Sequence, residues 1–224
     1  MTTVMLVHGA WHRPSTWTRL QPELHALGYA TRTPALPSAG ERPTAGMHDD
    51  AAVLAGELAA VEGPVVLLAH SYGGIPATEA ATRADNVEGL IYLAAYLPDR
   101  GQSLHTLHGL PDPDDTSGLF PLIDQPRTAL YGDLPDAEAE QEMSRLVNQT
   151  RRSFTEKADT AGRHDIPSTY IITERDQAVP PALQERMAAR ATEIRRLTSG
   201  HCPFLSQPHR LAALVDDIVR SAAR

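Results

Sequence analysis

Short apolar runs alternate with longer stretches of helical periodicity along most of this chain. Thr3 to Val7 is apolar and β-favouring and stops at His8-Gly9, which predicts a buried strand. Trp17, Leu20, Leu24 and Leu27 then recur at helical spacing between Pro14 and Gly28. Ser15 or Thr16 can cap that helix and the glycine can end it. Tyr29 to Pro34 predicts a second strand, and Pro34 to Gly46, rich in proline, glycine and serine, a loop. Met47 to Val61 predicts a helix with Val53, Leu54, Leu58 and Val61 on its apolar face. The run from Pro64 to His70 predicts a strand, followed by a helix to about Ala84 and a strand from Val87 to Ala95.

The rhythm then breaks. Pro111, Pro113, Pro121, Pro126 and Pro135 interrupt the next stretch, and Asp112, Asp114 and Asp115 make a solvated acidic loop. Ala137 to Glu156 predicts one helix or two short ones, and no segment there reads as a convincing strand. Alternation resumes with strands at Ser168–Thr173 and Glu193–Leu197 and a helix at Pro181–Arg190 between them. Pro208 to Ala222 closes as an amphipathic helix carrying Leu211, Leu214, Val215, Ile218 and Ala222 on one face. Strands alternating with helices imply a parallel sheet covered on both faces. The expected class is α/β, with a mostly parallel six-stranded sheet. Residues 1–98 and 167–224 would form the core and 99–166 an inserted cap. Chemistry in such a sheet collects beyond the C-terminal strand ends.

At one of those ends stands Ala69-His70-Ser71-Tyr72-Gly73-Gly74. A buried strand that stops at a serine, with small residues on both sides, is the local pattern of a nucleophile elbow. Ala69 is a mild departure from the glycine usual before the serine. A serine hydroxyl needs a base within reach, and the base needs a buried carboxylate to fix its tautomer. In the order serine, acid, histidine, the candidates are Asp176, just past the strand at Ser168–Thr173, and His201, in a glycine turn after the last strand. Glu174, in the same loop, and Asp99, after the preceding strand, are the rival acids. Fixed backbone dipoles suit an oxyanion hole. The amides of Tyr72 and Ala10 are expected to form it, with Trp11 as the alternative to Ala10.

Trp11, Tyr72, Tyr96, Leu104, Phe120, Phe154, Val179 and Cys202 are expected to line the substrate pocket. Few charges flank them, which favours a small, largely neutral molecule. His8 and His70 read as structural. The spacings of His8 with His12, and of His105 with His108, lack an evident carboxylate third ligand, so no metal is expected. No phosphate-binding glycine pattern is present, and no cofactor is expected.

Composition narrows the setting. With 42% hydrophobic and 21% charged residues among 224, the chain reads as one ordinary globular unit. A net charge of −8 offers no basic stripe for nucleic acid. The single cysteine excludes an intramolecular disulfide and fits the cytoplasm. No apolar run reaches the length of a membrane span, and the first residues predict a strand rather than a secretory leader. A monomer or homodimer acting on a small molecule is expected, with neither nucleic acid nor membrane as partner.

Taken together, Leu6-Val7-His8-Gly9-Ala10-Trp11-His12, the serine elbow, Tyr92-Leu93-Ala94-Ala95-Tyr96-Leu97-Pro98, Arg175-Asp176-Gln177-Ala178-Val179-Pro180 and Gly200-His201-Cys202-Pro203-Phe204 resemble the α/β-hydrolase superfamily. More narrowly they are similar to its small esterase and hydroxynitrile-lyase-like group, which includes plant methylesterases. The resemblance implies a mainly helical cap and a carboxylesterase-like activity on an ester or lactone through an acyl-enzyme. The lyases of that group place a lysine after the histidine and a threonine in the first loop. Here Cys202 and Ala10 stand there, and a neutral thiol cannot stabilise a leaving cyanide. Lyase or retro-aldol chemistry, natural-product tailoring on the same triad and a non-catalytic binding protein are the alternatives.

Overall fold

The computed structural model describes residues 1–161 and 166–222. Residues 162–165 of the expected cap and 223–224 of the expected core therefore lie outside the described residues. The strands are β1 (Thr3–Val7), β2 (Ala30–Arg32), β3 (Ala39–Gly40), β4 (Val65–His70), β5 (Val87–Leu93), β6 (Leu119–Phe120), β7 (Asn148–Thr150), β8 (Ser168–Thr173) and β9 (Glu193–Leu197). The helices are α1 (Leu20–Ala26), α2 (Met47–Ala59), α3 (Gly74–Ala81), α4 (Leu104–Leu107), α5 (Pro126–Tyr131), α6 (Asp136–Met143), α7 (Arg151–Thr155), α8 (Pro181–Ala188), α9 (Pro203–Ser206) and α10 (Pro208–Ala222).

Six strands pair in the order β2-β1-β4-β5-β8-β9, every neighbour parallel. Alternate residues of the central strands feed opposite faces. Met5, Val7, Leu67 and Ala69 pack with Leu54 and Leu58 of α2, Ile75 of α3 and Leu183 of α8. Val4, Leu6, Val66 and Leu68 pack on the other side with Leu20 and Leu24 of α1 and Leu211 and Val215 of α10. A valine, leucine, isoleucine or methionine buried in these layers contributes about 1.5–3 kcal/mol. The register sets Val7 beside Ala69 and Leu93 beside Ile171. The loops after β1, β4, β5 and β8 thus leave the sheet at one end.

The stretch between β5 and β8 differs from the sequence expectation. It holds α4 to α7, but also β6 and β7, which join β3 in a small antiparallel sheet of order β3-β7-β6. Ala39 pairs with Gln149 and Leu119 with Thr150. The loop at Pro34–Gly46 and the insertion are thereby stitched together. These strands are two or three residues long, too short to carry a hydrophobic alternation, and β7 is polar throughout. Ala137–Glu156 is divided by β7 into α6 and α7. Among the described residues no helix is long and apolar enough to cross a membrane.

Candidate active site

β4 lies in the middle of the sheet and hands the chain directly to Ser71, whose φ of 52° is left-handed. A non-glycine residue there is strained, and only a surrounding structure that fixes it can keep it so. Both flanks fix it. Tyr96 N–H donates to the Ser71 carbonyl (3.0 Å). A Cβ on Gly73 would sit 2.6 Å from the His8 carbonyl, and one on Gly9 would sit 2.9 Å from the Ser71 Cβ. The first loop and the elbow therefore touch backbone to backbone. Ala69, in place of the usual glycine, is fully buried and its methyl joins the core on the α2/α3 side of the sheet.

His201 follows β9 and is 2% exposed. Its Nδ1 lies 2.8 Å from Asp176 Oδ2, across 25 residues of chain. Asp176 is held from all sides. Its Oδ1 accepts from the amides of Ala178 and Val179 (2.8 Å each). Its Oδ2 also accepts from the Thr173 hydroxyl (2.8 Å) and Gln184 Nε2 (3.1 Å). Such bonds fix the orientation of the carboxylate. The rival acids are elsewhere. Glu174 is exposed and accepts from the Thr198 hydroxyl, and Asp99 pairs with Arg190 at 3.5 Å.

His70 is fully buried, and its Nε2–H donates to the His201 carbonyl (2.9 Å). Burial, with the positive charge His201 can acquire, holds its imidazole well below the ordinary value. It therefore stays neutral and fixes the backbone of residue 201. His8 accepts from Leu36 N–H at Nε2 (3.2 Å), and its Nδ1–H donates to the Gly9 carbonyl (2.9 Å). Burial lowers its pKa to about 4. His12 bridges the Ala10 carbonyl and the Tyr131 hydroxyl.

Ser71 and His201 face one cavity of about 40 Å³, lined also by Ala10, Trp11, Tyr72, Tyr96, Leu104, Phe154 and Val179. Ile123, Leu130 and Ala178 complete the wall, and sequence reasoning missed them. Leu130 carried a weak signal, an apolar residue one turn into a helix opened by Pro126. Two expected lining residues sit elsewhere. Phe120 stacks behind Phe154, ring centroids 4.2 Å apart, and lines an outer groove with Trp11. Cys202 is fully buried on the α1/α10 side with Tyr131 and Phe204. It stands just before α9, which turns its thiol away from the cavity, and burial raises its pKa well above the ordinary value.

The oxyanion candidates separate cleanly. Trp11 N–H donates to Gln149 Oε1 (3.2 Å). Among the described residues no acceptor pairs with the amides of Ala10 or Tyr72. A larger groove of about 880 Å³ opens at the opposite end of the sheet, along Thr2, Val87, Glu88, Pro167 and Ser168. It holds neither a histidine nor a cysteine among its described residues, so the small cavity is the better candidate. His48, Glu79 and Asp159 could offer ligand atoms to a metal. Glu79 Oε1 already accepts from Arg83 (2.7 Å), whose charge opposes a cation.

The model of the family described as "Alpha/beta hydrolase family" matches residues 4–214. The "Alpha/beta hydrolase nvfD" of Aspergillus novofumigatus is 33% identical, with 98% of this chain and 96% of that protein covered. Methylesterase 7 of Arabidopsis thaliana is 25% identical, with 96% of this chain and 95% of that protein covered. The crystal structure of a pyrethroid hydrolase from Sphingobium faniae JZ-2 superposes with a TM-score of 0.81 at 27% identity, covering 99% of this chain and 98% of that one.

Proposed function

Because the chain belongs to the alpha/beta hydrolase family, we propose that it is a carboxylesterase-like serine hydrolase cleaving an ester or lactone of a small, largely neutral molecule. The observation that carries this reading is the strained Ser71 sharing a cavity with His201, whose far nitrogen is held by Asp176. The relatives named as a methylesterase and a pyrethroid hydrolase support the ester as the bond attacked.

With Nδ1–H donating to Asp176, His201 presents an unprotonated Nε2 to the cavity. It takes the Ser71 proton as Oγ bonds to the ester carbonyl carbon. The carbonyl oxygen gains charge and receives the amides of Ala10 and Tyr72. Collapse breaks the bond to the alcohol, which leaves with the proton from His201. Water, deprotonated by the same imidazole, releases the acid and restores Ser71. The apolar wall of Trp11, Leu104, Phe154 and Val179 suits an uncharged substrate. A small-molecule substrate, no nucleic acid or membrane partner, a monomer or homodimer and a cytoplasmic setting complete the proposal.

The test combines turnover of short-chain p-nitrophenyl esters with fluorophosphonate labelling. Wild-type protein should do both and Ser71→Ala neither. Turnover retained by Ser71→Ala rejects the role of the serine. An unlabelled wild-type protein points to a non-catalytic binding protein. Labelling without ester turnover points to lyase-type or tailoring chemistry.

A further inference from the structure

A buried polar chain runs behind the cavity, and the mechanism above makes no use of it. Asp50, on α2, is fully buried. Its Oδ1 accepts from Ser38 N–H (2.9 Å), and its Oδ2 accepts from the hydroxyls of Ser38 and Tyr72 (2.5 Å each). No basic side chain pairs with it among the described residues. Ser38 Oγ, having given its proton to Asp50, accepts from Gln149 Nε2 (2.8 Å). The second hydrogen of that amide goes to Ser153 Oγ (2.7 Å). Both N–H groups being used, Gln149 must turn its oxygen to Trp11 N–H.

Trp11 needs this hold. Its φ of 60° is left-handed, which a tryptophan does not adopt freely. The Gln149 oxygen fixes its N–H, and Val147 N–H fixes its carbonyl (2.8 Å). With the Trp11 amide turned toward the small sheet, the preceding amide, that of Ala10, is the one left for the cavity. The other end of the chain of bonds meets Tyr72, whose own backbone amide is the second proposed donor.

We propose that Asp50 is a positioning residue that sets both oxyanion amides at once, that of Tyr72 through its hydroxyl and that of Ala10 through Ser38, Gln149 and Trp11. This rests on the hydrolase reading above. Bonds to an ionised carboxylate are stronger than neutral ones, so one charge stiffens two loops that are adjacent in space but distant along the chain. Displacing an oxyanion donor weakens the transition state more than substrate binding.

The test uses Asp50→Asn, which keeps shape but points an N–H group at hydroxyls that now donate. Ser38→Ala cuts only the branch to Trp11, and Tyr72→Phe only the branch to the elbow. Readouts are kcat and KM for a p-nitrophenyl ester, affinity for phenylboronic acid as a tetrahedral mimic, and the melting temperature. For Asp50→Asn, kcat should fall about 10- to 100-fold with KM within about threefold, and boronate affinity should fall in step. Each single-branch variant should show a smaller loss of the same kind. Should Asp50→Asn not fold, Ser38→Ala and Gln149→Leu decide by the same criteria. Folded variants that keep kcat and boronate affinity within about twofold of wild type, whatever their melting temperature, overturn the proposal. Wild-type protein that neither turns over the ester nor binds boronate instead overturns the hydrolase reading itself.

Discussion

His201 Nδ1 meets Asp176 Oδ2 at 2.8 Å, in a pocket where that carboxylate already accepts two backbone amides, a hydroxyl and a glutamine. The arrangement leaves the histidine one tautomer, with its proton on Nδ1. Asp176→Asn should reverse it. The asparagine oxygen belongs with the amides of Ala178 and Val179, so its NH2 faces His201 and forces Nδ1 to accept. The proton then sits on Nε2, where it blocks acceptance from Ser71. A loss of about 10⁴ in kcat is expected. Ester kinetics on folded variant would show it, and a loss under tenfold would remove Asp176 from the proposed triad.

Ser71 supplies a second prediction, in which stability and activity move apart. Its left-handed φ costs about 1 kcal/mol for any residue with a Cβ. Ser71→Ala and Ser71→Gly should both be inactive. The glycine variant should nonetheless be the more stable, by about 1 kcal/mol and a few degrees of melting temperature. Equal melting points would mean that the elbow stores no strain.

Much of this was legible because its signals are local. A run such as Val65–Ala69 must be buried, and a serine followed by two glycines at its end marks a sharp turn. Asp176 and His201 were legible by place, each just past a strand whose apolar run is clear. The insertion was not. Asn148-Gln149-Thr150 forms a strand only because Ala39 and Leu119 arrive beside it, and nothing local in three polar residues announces that. Asp50 was hidden for a related reason: an acid in the first turn of a helix ordinarily faces water and favours the helix dipole. Here it is covered by Ser38 and Tyr72. Cys202 was misplaced because adjacency to His201 in sequence says nothing of direction at the entry to a helix.

The close approach of the first loop to the elbow can be probed with two glycines of opposite surroundings. A Cβ on Gly73 would press on the His8 carbonyl at 2.6 Å. Backbone must move, at about 1–3 kcal/mol, and the Ala10 loop moves with it. Gly73→Ala should lose both stability and most of its kcat. Gly56, exposed in the middle of α2, meets nothing within 4 Å. Gly56→Ala should gain about 0.5–1 kcal/mol by helix propensity and keep its kinetics. Urea unfolding of the pair measures both signs, and a neutral Gly73→Ala would deny the tight contact.

Stability should fall steeply with acid, with one group opposing the trend. His8 and His12 are buried with pKa values lowered to about 4 and about 3, chiefly by desolvation, and His70 is also well below its ordinary value. Unfolded, each titrates near 6.5. Between about pH 6.5 and 4 the unfolded chain therefore binds more protons, and the native state loses stability as pH falls. Asp50 does the reverse. Desolvation, with a smaller contribution from the Asp49 charge, raises it from 3.8 to about 6, so in that range the native state holds its proton more tightly and stability falls as pH rises. At about 1.4 kcal/mol per proton and pH unit, three histidines outweigh one aspartate, and acid lability wins. Asp50→Asn deletes only the opposing contribution. Its stability relative to wild type should therefore rise by about 2 kcal/mol between pH 4 and 6, whatever offset the lost hydrogen bonds add. Urea titrations across that range read the difference directly, and parallel curves for the two proteins would show that Asp50 is already ionised well below pH 4 in the native state.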